Sequence, residues 1–128
     1  MTITEVSEKY DVSNDTLRYY ERIGLIPRVN RNTSGNRNYT EENCRWVEFV
    51  ICMRSAGLPI EALIEYVNLF QQGDDTSEAR KEILLEQRKH LITRMEIMQK
   101  TLERMNHKIE RYEQIIVNRE KELKRSKD

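Results

Sequence analysis

Residues Ser13–Pro27 read SNDTLRYYERIGLIP, and this stretch decides the fold. Ser13 is a good helix N-cap, because its hydroxyl can accept from an amide left unpaired in the first turn. Leu17, Tyr20 and Ile23 recur every three residues and so share one face that can seat the helix on a core. Asn14, Arg18 and Arg22 recur every four residues, with Tyr19 beside Arg18, and make a separate polar stripe. Gly24 supplies the left-handed residue that ends a helix, Leu25 the apolar contact after it, and Pro27 a firm stop. A short capped helix with a cationic and aromatic outer face is suited to docking on an anion.

Upstream, TITEVSEKY at 2–10 opens with Thr2 and Glu5 in capping-box spacing, and Ile3, Val6 and Tyr10 mark an apolar face. Asp11-Val12 forms the turn. Two short helices so joined are a helix-turn-helix over 2–23, whose second member enters the major groove of DNA. Downstream, RVNRNTSGNRNY at 28–39 places Asn, Thr, Ser and Gly between two very short strand-like runs, which predicts a hairpin wing with its tip near Ser34-Gly35. From 18 to 39, Arg18, Arg22, Arg28, Arg31 and Arg37 face a single acid, Glu21. That local excess suits phosphate contact although the whole chain has a formal net charge of zero.

Thr40 caps a third helix over 40–55, with Glu41 and Glu42 at its positive end. Trp46, Val47, Phe49, Val50, Ile51, Cys52 and Met53 are apolar almost all the way round, so burial from several sides is expected. Gly57 ends this helix, and Pro59 fits the first position of a fourth over 59–70. A linker at 73–75 closes a head of 1–72. From 76 to 124 the chain carries no proline or glycine. Alternating steps of three and four pick out Leu91, Met95, Met98, Leu102, Met105, Ile109, Tyr112, Ile116, Arg119 and Leu123, nine of them apolar. This repeat predicts a dimerisation coiled coil, seamed by the residues from Leu91 to Ile116, that a second copy of the chain would complete. Residues 125–128 are expected to fray.

The fold class is therefore mainly α, a winged helix-turn-helix head followed by a long C-terminal helix. No long apolar run marks a signal peptide or membrane span, so a cytoplasmic protein is expected. The two cysteines, Cys44 and Cys52, are too few for a disulfide framework. No Ser/His/Asp or Cys/His arrangement, phosphate loop or metal cluster supports catalysis, and no cofactor is expected.

TLRYYERIGLIP at 16–27 and GNRNY at 35–39 resemble the signature and the wing motif of the MerR family of bacterial transcription regulators. The usual wing motif is GYRxY; Asn36 replaces its aromatic, while Arg37 and Tyr39 stay in register. The resemblance spans essentially the whole chain. It implies a homodimer joined by an antiparallel intersubunit coiled coil and bound to double-stranded promoter DNA. It also implies activation by bending and untwisting a promoter whose elements are too far apart, so that RNA polymerase engages both. Contacts on the two half-sites must offset a deformation on the order of a few kcal/mol. EFVICMRSAGLPIEALIEY at 48–66 resembles the subgroup that answers aldehydes and other thiol-reactive electrophiles, in which a cysteine occupies the position of Cys52.

DNA contact is thus assigned to Asn14, Arg18, Tyr19, Arg22, Arg28, Arg37 and Tyr39, with base reading falling to Asn14, Asp15 or Arg18. The sensor is Cys52; its plain alternative is a small buried hydrophobe, and no cation lies three or four residues away on its own helix to lower the thiol pKa. Cys44 and Cys52, eight residues apart, are separated by roughly 12 Å along a helix and cannot ligate one ion within a subunit, so no metal site is expected. Met95, Met98 and Met105 fill gaps in the seam. Two alternatives remain: a relative answering another ligand or a metal, and a coiled-coil interaction module that does not bind DNA.

Overall fold

The computed structural model describes residues 1–127. Five α-helices follow one another: α1 (Ile3–Tyr10), α2 (Asn14–Arg22), α3 (Glu41–Ser55), α4 (Ile60–Gln72) and α5 (Ser77–Lys127). A 3-10 turn, Asp74–Thr76, stands between the last two, where a plain linker is expected. Its Thr76 hydroxyl donates to the Leu69 and Gly73 carbonyls, both at 2.7 Å.

Local chemistry sets the helix boundaries. At α1 the Thr2 and Glu5 side chains each accept the other's backbone N–H at 3.1 Å, a complete capping box. The bond from the Thr2 amide holds the Glu5 carboxyl below its usual range. Asp11 then takes a left-handed conformation (φ 53°), and the Ser7 hydroxyl donates to the Val12 carbonyl. Ser13 accepts from the Thr16 amide to open α2, and Thr40 accepts from the Asn43 amide to open α3. Pro59 is the N-cap of α4, one place before the helical position expected of it.

α2 and α3 end by the same device. After α2, Gly24 (φ 83°) lets the Leu25 amide reach back to the Tyr20 carbonyl at 2.8 Å. After α3, Gly57 (φ 87°) lets the Leu58 amide reach the Met53 carbonyl at 3.0 Å. Both are Schellman closures, and both leucines drop into the core.

That core joins Val6, Leu17, Leu25, Ile26, Val29, Tyr39, Cys44, Val47, Val50, Leu58 and Leu63. α3 contributes Cys44, Val47 and Val50, which share one face at three-residue spacing. Burial of α3 from several sides is not found: Trp46, Phe49, Ile51 and Met53 are half-buried and Cys52 is exposed. These half-buried residues pack against the margin of the core, and Trp46 and Phe49 also meet the aromatic side chains of α4. There Trp46, Phe49, Tyr66 and Phe70 make edge and stacked ring contacts 4.9–6.1 Å between centroids.

The wing carries no strand. It is a loop closed by one antiparallel bridge, Arg31 to Arg37. Two backbone bonds flank the bridge, from the Asn32 amide to the Asn36 carbonyl and from the Asn38 amide to the Asn30 carbonyl, both at 2.8 Å. Side chains reinforce the tip: Asn32 Oδ1 accepts from the Ser34 and Asn36 amides at 3.0 and 3.1 Å, and Arg31 donates to the Gly35 carbonyl at 2.7 Å.

By compactness the first unit runs Met1–Leu91 and takes in the opening turns of α5; the second begins at Ile92. From Met95 to Leu123 the seam residues are solvent-facing, each apolar one 49–69% exposed, while Leu91 is half-buried. Where fraying is expected over 125–128, α5 continues through Lys127, and Asp128 lies outside the described residues. Among the described residues no helix is long and apolar enough to cross a membrane.

Candidate nucleic-acid interface

The outer face of α2 presents Asp15, Arg18, Tyr19 and Arg22. Arg18 donates to Asp15 at 3.0 Å across one helical turn, an exposed pair that orients more than it stabilises. The Arg22 guanidinium lies 5.4 Å from the Tyr19 ring centroid, so the two side chains extend together. Asn14, the first residue of α2, is half-buried, and Arg28 is exposed where the chain leaves α2 for the wing.

The wing folds back on α2 through Glu21. Arg37 Nε donates to Glu21 Oε1 at 2.7 Å, and the Val29 amide donates to Glu21 Oε2 at 3.3 Å. Between α1, α2 and the wing lies a cleft of about 380 Å³ lined by Thr2, Ile3, Thr4, Arg18, Arg31, Asn36 and Arg37. Three arginines and two threonines line it at the start of α1, residue types suited to donating to a phosphate diester. The structure thus brings Arg18 and Arg37 together and adds Arg31. It also adds Thr2, marked in the sequence only as a capping residue, and Thr4, which no sequence pattern marks.

Tyr39 does not belong to this surface. Its ring is 1% exposed and part of the core, and its hydroxyl has no hydrogen-bond partner among the described residues. Burial pushes its phenol above the usual range, against the opposing effect of nearby Arg37. Its backbone explains the placement: the Tyr39 amide donates to the Met1 carbonyl and the Met1 amine to the Tyr39 carbonyl, both at 2.8 Å. The return leg of the wing is pinned to the start of the chain, and the ring turns inward. Tyr20, expected in the core, is half-buried against it.

The two thiols occupy opposite environments. Cys44 is buried, its Sγ 3.9 Å from Met1 Sδ, whereas Cys52 is exposed on α3. Among the described residues no three His, Cys, Asp or Glu side chains gather in a way that could hold a metal ion.

Sequence comparison places this geometry. The profile of the MerR HTH family regulatory proteins matches residues 1–69, and that described as MerR, DNA binding matches residues 44–108. The chain belongs to the MerR family. It is a DNA-binding transcription regulator of that family, and the curated relatives it matches are regulators, not enzymes. It is 56% identical over 92 residues to the HTH-type transcriptional regulator AdhR of Bacillus subtilis, a match covering 72% of this chain and 66%, just under two thirds, of that one. A MerR family regulator from Listeria monocytogenes superposes with a TM-score of 0.91 at 50% identity, covering 97% of this chain and 94% of that one. HiNmlR, described as a MerR family regulator lacking the sensor domain and solved bound to promoter DNA, gives 0.81 at 27% identity, covering 88% of this chain and 90% of its own.

Proposed function

We propose that this MerR family chain acts as a cytoplasmic homodimer that switches a promoter on when an aldehyde or another thiol-reactive electrophile modifies Cys52. The observation that carries the sensing half is the contrast between the thiols: Cys52 is open to a reagent and Cys44 is not. The segment 48–66, with its resemblance to the electrophile-responsive subgroup, points the same way.

The DNA half rests on the cleft between α1, α2 and the wing, and on the likeness to HiNmlR on its promoter. Arg18, Arg22, Arg28 and Arg37 grip backbone phosphates, Tyr19 adds its phenol, and Asn14 stands at the end of α2 that reaches base edges. Phosphate contacts fix register without specifying sequence. The exposed stripe from Met95 to Ile116, with Leu91 at its head, pairs with that of a second copy as an antiparallel coil. Two heads so joined hold two half-sites, and their spacing bends and untwists the DNA until RNA polymerase can engage both promoter elements.

Transcription from the native promoter, with wild type and Cys52→Ser, each with and without formaldehyde, tests the assignment. Wild type should be induced and Cys52→Ser should not, while both bind the promoter. A Cys52→Ser variant that is induced normally removes Cys52 as the sensor.

A further inference from the structure

Glu21 stands within the arginine-rich stretch 18–39 as its sole acid. Both of its carboxylate oxygens are occupied, Oε1 by Arg37 Nε at 2.7 Å and Oε2 by the Val29 amide at 3.3 Å. Val29 lies on the entry leg of the wing and Arg37 on its return leg. One carboxylate therefore ties both legs to α2. The pair is well shielded, with the Arg37 and Glu21 side chains 21% and 16% exposed. An ion pair so shielded is less weakened by solvent and salt than the open Asp15–Arg18 pair, whose side chains are 94% and 45% exposed.

The guanidinium geometry gives this tie a consequence. Arg presents its N–H groups in a rigid planar fork, so fixing Nε fixes the plane of the whole group. With Nε on Glu21, the terminal nitrogens remain for an acceptor in the cleft that Arg37 lines with Arg18, Arg31, Thr2 and Thr4. The carboxylate is spent on orientation.

We propose that Glu21 is a positioning residue for DNA binding, which holds Arg37 and the wing in the geometry that grips one backbone phosphate diester. This rests on the assignment of Arg37 to phosphate contact made above. Charge counting alone forecasts the opposite effect: deleting an acid from a basic surface should raise affinity for DNA and steepen its salt dependence.

The full chain is tested by fluorescence anisotropy across a salt series, on a duplex carrying its promoter and on a scrambled duplex of equal length. Wild type is compared with Glu21→Ala, Glu21→Gln, Arg37→Ala and the double variant Glu21→Ala/Arg37→Ala, each shown folded by its thermal melt. Glu21→Ala should bind both duplexes about tenfold more weakly, the size of an ordinary coupling between contacting residues. Its slope of log affinity on log salt should be shallower by about one phosphate contact. Glu21→Gln keeps an acceptor for the Val29 amide and should fall between, and it carries the test if the alanine variant does not fold. The double variant should be no weaker than Arg37→Ala alone. Binding by Glu21→Ala or Glu21→Gln as tight as wild type, losses that add in the double variant, or a loss confined to the promoter duplex each overturn the proposal. If wild type binds neither duplex in a salt-dependent way, the phosphate-contact assignment itself fails. If Arg37→Ala weakens binding and the Glu21 variants do not, the role of Glu21 alone is lost.

Discussion

Tyr39 shows how one side chain can stand inside a DNA-binding motif without touching DNA. Its ring fills the core beneath the wing, and its hydroxyl is buried without a partner. A buried polar group left unpaired costs about 1–3 kcal/mol, so trading it for hydrogen should be neutral or favourable. Tyr39→Phe is expected to match or exceed wild type in chemical denaturation and to bind promoter DNA unchanged. A clear loss of affinity would return Tyr39 to the interface. The same burial predicts a pH effect. Because the folded state raises the phenol's pKa, stability is fully present below the unfolded value near 10 and is lost as pH rises through the higher folded value. Tyr39→Phe should flatten that alkaline limb in melts recorded at increasing pH.

At the scale of elements, the closures after α2 and α3 carry much of the head's definition. A Cβ at Gly24 would meet Ile64 Cγ2 at 3.9 Å, an ordinary contact, so the difficulty with any other residue lies in its φ of 83°. Gly24→Ala should therefore destabilise the head by about 1–2 kcal/mol, and Gly24→Asn by less, since Asn tolerates left-handed backbone. Equal urea midpoints for wild type and Gly24→Ala would refute this. These boundaries were legible in the sequence because caps and closures are local: Ser13, Gly24 and Leu25 act within a few residues of the helix they bound. The wing was half legible. Its Asn, Ser and Gly announced a turn, but not that backbone pairing would stop at one bridge with the Asn32 side chain closing the tip. The Glu21–Arg37 tie was not legible, since it joins residues sixteen apart and the acid read as a mere offset to the arginines. The exposure of Cys52 was hidden for a related reason. Apolar residues all round α3 suggest burial all round, whereas full burial falls to the face of Cys44, Val47 and Val50, and Cys52 lies off it.

At the scale of the whole molecule, the exposed stripe on α5 decides whether the chain works alone. A lone helix of 51 residues with side chains such as Met98 and Leu123 more than 60% exposed leaves apolar surface in water that a second copy would cover. Placing a charge there is diagnostic. Leu102→Glu should shift the chain from dimer to monomer in analytical ultracentrifugation and weaken promoter binding, with the head's fold retained. A variant that stays dimeric would move the seam elsewhere. The stripe also sets how the regulator would respond to its own abundance. If only paired chains hold a two-part site, promoter occupancy at low copy number rises with the square of the chain's concentration, not in proportion to it. Halving synthesis would then cut occupancy about fourfold in that regime. Gene dosage thus becomes a control input written into the apolar face of one helix.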